Sequence, residues 1–200
     1  MGYVRDVFQQ RHMNNLSGNL GIGHVRYPTA GGVGKEFAQP MYVNAPYGIS
    51  LAHNGNLTNS KKLAAELFHA ERRHINTESD SEVLLNILAL ELSKQEAVFP
   101  KPKDYFSAIE KTHMRINGAY AVVALITGYG ILGFRDPLGI RPLTIGVRKG
   151  KNRNEYIISS ETALFSALGY KFLRDVEPGE AVFIDNSGKI FSQQCSSESS

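Results

Sequence analysis

Five short segments hold the side chains through which this chain could grip or attack a small polar molecule. The first is Gly23-His24-Val25-Arg26-Tyr27-Pro28-Thr29-Ala30-Gly31. A strand would end here at Tyr27, because Pro28 has no N–H for a ladder and Gly31 permits a sharp turn. Period-two alternation puts His24 and Arg26 on one face, opposite Val25. An arginine at a strand end can hold a carboxylate through two parallel N–H bonds. A rim arginine in a surface ion pair is the competing reading. The second segment is Leu51-Ala52-His53-Asn54-Gly55-Asn56-Leu57, a hydrophobic strand that runs straight into Asn-Gly. Between two strands that dipeptide is the signature of a type I′ hairpin turn. The residues after Thr58 have a helical pattern, however, and the Asn54 amide with the Gly55 N–H could supply two convergent donors to an oxyanion. The residues alone leave turn and oxyanion hole equally open.

The third segment, Thr77-Glu78-Ser79-Asp80-Ser81-Glu82, places a Ser-x-x-Glu capping box ahead of an apolar run. Asp80 in the first helical turn would favour the helix dipole, or would pair with a substrate ammonium; capping alone suffices to explain the pattern. The fourth, Phe134-Arg135-Asp136-Pro137-Leu138-Gly139-Ile140-Arg141-Pro142-Leu143, has the composition of a rigid connection between strands, with a structural role for Arg135 and Asp136. The fifth, Ser159-Ser160-Glu161-Thr162, reads as the capped start of a short helix.

The elements that must position these residues are short. β-rich runs cover residues 20–27, 49–53, 119–127, 131–134, 143–147, 156–159 and 181–184, with Gly128-Tyr129-Gly130 and Asn186-Ser187-Gly188 as hairpin turns. Helical spacing covers 59–69 and 105–116, and a third helix starts at Ser79. In that helix Val83, Leu84, Leu85, Ile87, Leu88, Leu90 and Leu92 occupy most of the circumference, leaving a narrow stripe of Glu82, Asn86, Ala89 and Ser93, so it should be largely buried. Consecutive strands beside grouped helices argue for an α+β fold, and no strand is followed by a glycine-rich phosphate loop.

Composition excludes several classes. Hydrophobic residues make up 42% and charged residues 20%, with a net charge of +3. No apolar run is long enough to span a membrane, and no secretory signal pattern opens the chain. Met1-Gly2 fails as a myristoylation signal because position six is Asp6. The densest positive stretch, Arg148, Lys149, Lys151 and Arg153, has the form of a solvated hairpin turn and carries no nucleic-acid motif. One cysteine, Cys195, rules out an internal disulfide and a cysteine-only metal site, and the reducing cytoplasm is the expected compartment.

In order and spacing, GHVRYPTAG, AQPMYVNAPYGISLAHNGNLTN, RRHINTESDSEVLLN, GAYAVVAL, FRDPLGIRPL and FLRDVEPGEAVFI resemble the class II, N-terminal-nucleophile glutamine amidotransferases, specifically the amidophosphoribosyltransferase branch, over about residues 2–195. The Tyr-Pro-Thr-Ala-Gly wording separates this branch from glucosamine-6-phosphate synthases and asparagine synthetases. The resemblance implies a four-layer αββα sandwich and a glutaminase domain over 1–194, with residues 195–200 a linker toward a phosphoribosyltransferase domain. It implies that Arg26 binds the glutamine α-carboxylate and Asp80 the α-ammonium. Asn54 and Gly55 would form the oxyanion hole, and Tyr27 and Thr29 would line the site. No cofactor is expected in this segment; magnesium belongs to the phosphoribosyltransferase half. The partner is glutamine, in a homo-oligomer, with neither nucleic acid nor membrane.

The family's nucleophile is an N-terminal cysteine whose own α-amino group serves as base, and this sequence does not contain it. Cys195 sits in a Gln-Gln-Cys-Ser-Ser context, and a Cys195–His53 dyad is set aside. The chain by itself is therefore expected to be catalytically dead, the ammonia-supplying part of an enzyme that makes phosphoribosylamine in purine synthesis. The alternative from another class is a non-catalytic glutamine-binding or regulatory module of the same fold.

Overall fold

The computed structural model describes residues 3–25, 34–95, 97 and 99–196. Two short helices, α1 (Val4–Val7) and α2 (Gln10–Asn15), come first, then a 3-10 turn at Lys35–Phe37 and strands β1 (Met41–Val43) and β2 (Ile49–Leu57). Helices α3 (Ser60–His69), α4 (Asp80–Ser93) and α5 (Pro102–His113) lead into β3 (Gly118–Ile126), β4 (Gly130–Arg135), β5 (Thr144–Lys149) and β6 (Asn154–Ser159). The chain continues through α6 (Ala163–Ala167), β7 (Lys171–Asp175), β8 (Glu180–Asp185) and β9 (Ile190–Gln194).

The strands form two antiparallel sheets: six strands in the order β1-β2-β3-β4-β8-β9, and three in the order β6-β5-β7. Alternation along each central strand feeds two cores. In β8, Ala181 and Phe183 face the layer of α3, α4 and α5, while Val182 and Ile184 face the second sheet, where they meet Ile145, Tyr156 and Ile158. On the outer face of the small sheet, α6 buries Phe165 against Gly146, where a Cβ would meet the ring at 3.1 Å. The layer order is therefore helices, sheet, sheet, helix, the expected αββα sandwich.

Two crossovers join the sheets, and the Arg135–Asp136 pair holds both. Asp136, fully buried, accepts the N–H groups of Ile140 and Arg141, while Arg135 donates to the carbonyls of Gly139, Arg141 and Val176. Residues 136–143 leave the large sheet and residues 176–179 return to it, so this is a structural clamp between the two passages. Each partner serves the backbone, and neither is spent on the other.

Several boundaries differ from the sequence reading. Residues 20–25 form no strand, and the rest of that predicted run lies outside the described residues. The segment 105–116 begins instead at Pro102, whose missing N–H costs nothing in a first helical turn, and ends at His113. Three strands went unread: β1 is only three residues long, and the edge strands β7 and β9 carry polar residues that give no alternation. The largest difference is in β2, which does not stop at His53. It runs on through Asn54-Gly55-Asn56 to Leu57, paired with β3 down to Leu57 opposite Gly118. Asn54-Gly55 is not a hairpin turn.

Candidate active site

β1 pairs β2 only as far as Leu51, so from residue 52 onward the edge of β2 away from β3 has no strand beside it. Successive N–H groups of a strand leave on opposite sides, so those of residues 53, 55 and 57 share that edge. Side chains replace the missing strand at two of them. The His53 N–H donates to Gln39 Oε1 at 2.7 Å, and the Leu57 N–H donates to Asp80 Oδ2 at 2.9 Å. Between them the Gly55 N–H has no partner among the described residues. Glycine is required at this point: φ is +152°, and a Cβ would lie 2.0 Å from the Ala119 carbonyl oxygen and 2.8 Å from His53 Nε2.

Asn54 projects from the opposite face of β2 to His53. With Ala52 and Ala121 it lines a cavity of about 120 Å³ between the two sheets, to which Gly23, His24, Ser159 and Ser160 also contribute. The mouth of the cavity and the open edge of β2 therefore meet at one corner of the large sheet, with Asn54 serving the first and Gly55 the second.

The N-terminus of α4 abuts this corner. Ser79 caps it by accepting the Ser81 N–H at 3.3 Å. The predicted capping box does not close, because Glu82 does not reach back to Ser79. Its carboxylate instead accepts the N–H groups of Asn76 and Thr77, the Thr77 hydroxyl and the Asn76 amide, at 2.7–2.9 Å. Burial would raise the Glu82 carboxyl, but these bonds hold it below the usual carboxylate value. The stripe Glu82, Asn86 and Ala89 is itself buried; only Ser93 reaches solvent. The helix is buried as expected, with its polar groups satisfied internally. Asp80 is not a capping residue either, since its carboxylate is turned onto β2 and lies 3.9 Å from His53 Nδ1.

His53, with 1% of its side chain exposed, is the link that sequence reasoning missed. Its Nδ1 lies 3.1 Å from Ser81 Oγ, which also accepts from Gln39 Nε2 at 3.0 Å. Burial lowers the imidazole below its ordinary value against the pull of Asp80, with His24 and Arg141 adding to the lowering, so the ring is neutral. Nothing in local spacing marks Gln39 or Ser81, which lie 42 residues apart.

Of the predicted site residues, Asn54, Gly55 and Asp80 come together at this corner, with His24 beside them. Arg26, Tyr27 and Thr29 lie outside the described residues. Ser159 accepts the Glu161 N–H, but Thr162 makes no side-chain cap to α6, so the fifth segment caps less than its composition implied. Cys195 is remote. It comes just after β9, four strand spacings from β2 or roughly 19 Å across the sheet. It is buried against the Phe106 carbonyl, and burial pushes its thiol up to about 12.

A two-sheet αββα sandwich with strand-edge donors and a carboxylate at one corner defines a class, and sequence comparison supplies its name: residues 33–167 match the glutamine amidotransferase domain, and the chain belongs to that family. Within it, the chain is 56% identical over 194 residues to the amidophosphoribosyltransferase of Pseudomonas aeruginosa, covering 97% of this chain and 39% of that one. It is 55% identical over 195 residues to the Escherichia coli amidophosphoribosyltransferase, with the same coverage. It also superposes on the glutamine phosphoribosylpyrophosphate amidotransferase from B. subtilis, solved with ADP and GMP, with a TM-score of 0.69 and 32% identity over 86% of this chain and 34% of that one. The chain thus spans about two fifths of the length of the curated relatives it matches. Among the described residues no helix is long and apolar enough to cross a membrane.

Proposed function

We propose that this chain is the glutamine-hydrolysing part of an amidophosphoribosyltransferase, releasing ammonia for the synthesis of phosphoribosylamine from phosphoribosyl pyrophosphate in the cytoplasm, within a homo-oligomer. The observation that carries this reading is the Gly55 N–H, directed out of the β2 edge beside Asn54 while its neighbours at His53 and Leu57 are bonded to side chains. A donor left open among the described residues, between two that are bonded, suits an oxygen that becomes negative during reaction. As a thiolate adds to the glutamine side-chain carbonyl, the Asn54 amide and Gly55 N–H would take the developing charge. Collapse would expel ammonia and leave a thioester for water to cleave. Asp80 would hold the α-ammonium through its Oδ1, and Arg26 the α-carboxylate.

The attacking thiolate is not Cys195. A buried thiol raised to about 12 is protonated at neutral pH, and it sits across the sheet from Asn54. The chain alone therefore does not turn over glutamine, and the assay belongs in the full-length protein. There, Asn54→Ala and Asn54→Gly should each lower kcat for glutamate release by about a hundred- to a thousandfold, with ammonia-dependent synthesis preserved. Near-normal glutamine turnover in the glycine variant would remove Asn54 from the oxyanion hole.

A further inference from the structure

We infer that Gln39 and Ser81, joined through His53, are positioning residues that hold the Gly55 N–H toward the reacting carbonyl; this rests on the proposed oxyanion role of Asn54 and Gly55. A strand edge without a neighbouring strand is free to twist, and a donor on it is held only as well as the groups flanking it. Here both flanks are tied. Beyond Gly55, Asp80 holds the Leu57 N–H. Before it, Gln39 spans two elements with one side chain, taking the His53 N–H on Oε1 at 2.7 Å and donating from Nε2 to Ser81 Oγ at 3.0 Å. Ser81 closes the ring by meeting His53 Nδ1 at 3.1 Å.

The ring has a direct mechanical connection to the donor. His53 Nε2 lies 2.8 Å from where a Gly55 Cβ would be, so the imidazole fills the space beneath the glycine and limits how far its peptide can tip. Among the described residues that Nε2 is buried with no hydrogen-bond partner, so the ring's hydrogen bonding comes from Nδ1. Ser81, at 2% exposure in the first turn of α4, is fixed by a helix packed in the core, which makes it the anchor. Gln39 and Ser81 are not placed against the substrate. They act through the backbone of β2, and so should affect the transition state, where the oxyanion exists, more than ground-state binding.

The test is a set of variants in the full-length protein, with glutamine turnover and ammonia-dependent synthesis measured side by side. Gln39→Leu and Ser81→Ala should each lower kcat for glutamine about tenfold while KM for glutamine changes less than about twofold. Combined, they should cost little more than either alone, because they break one ring. Gln39→Glu retains an acceptor for the His53 N–H and should recover most of the rate lost in Gln39→Leu. Unchanged kcat in both single variants would overturn the inference. So would parallel losses of glutamine turnover and ammonia-dependent synthesis, or no rescue by glutamate, since these mark a fold defect rather than a displaced donor. Asn54→Gly in the same assay separates the two levels. If it loses turnover while Gln39→Leu does not, only this inference fails; if it too retains turnover, the oxyanion reading fails.

Discussion

Replacing Gly55 by alanine tests the β2 geometry without any appeal to catalysis. The added Cβ would stand 2.0 Å from the Ala119 carbonyl oxygen, 2.8 Å from Tyr120 Cα and 2.8 Å from His53 Nε2. Two of these neighbours are backbone atoms of β3, which cannot rotate away as a side-chain tip can. Strand separation, strain at a φ of +152°, or both must result. Residue strain contributes about 1–3 kcal/mol and overpacking a similar amount, so the total should be roughly 2–6 kcal/mol. That is a large share of the ~5–15 kcal/mol that keeps a typical domain folded. Gly128→Ala provides the control: it too has a positive φ, +83°, but nothing lies within 4 Å of its Cβ position, so only the strain of about 1–3 kcal/mol applies. With no tryptophan in the chain, urea unfolding is monitored by far-UV circular dichroism. A Gly55→Ala cost no greater than that of Gly128→Ala would refute the close approach of β3 to β2.

Two further outcomes are expected from the same structure. His113 is buried against the Tyr120 hydroxyl at 2.6 Å, and burial lowers its imidazole to about 4, with Asp136 opposing. The unfolded chain takes up this proton below about 6.5 and the folded chain only near 4. Stability is therefore complete above about 6.5 and falls through that window as pH drops, by about 3 kcal/mol in all; a urea midpoint in the wild type no more pH-dependent than in His113→Gln would contradict it. Asp80→Asn should raise KM for glutamine in the full-length protein and barely move the melting temperature, because an amide oxygen can still accept the Leu57 N–H; a large stability loss with KM unmoved would make Asp80 structural.

Much of the architecture was legible because it depends on local patterns. The near-continuous apolar run from Val83 to Leu92 required a buried helix, and the turn residues at 128–130 and 186–188 punctuate the hairpins observed. The structural role expected of Arg135 and Asp136 holds, although their partners are backbone groups of two crossovers that no spacing connects. The capping box failed for an instructive reason: Glu82 had a choice of N–H groups, and the loop before the helix offered it better ones.

The sequence by itself determined which polar side chains were available, that a strand would lead into Asn54-Gly55, and that Asp80 would stand at the start of a buried helix. Those facts derive from residue type and period, both properties of a few neighbouring residues. Whether Asn54-Gly55 was a turn or a strand edge, and whether Asp80 capped its helix or crossed to β2, was decided only by tertiary structure. Each question concerned the destination of one hydrogen-bonding group that had several chemically equivalent partners within reach. β3 arrives from more than 60 residues downstream to pair with β2, and Gln39 and α4 close over the remaining edge. A hydrogen bond is specified by where its partner stands, and for these groups the partners come from distant parts of the chain.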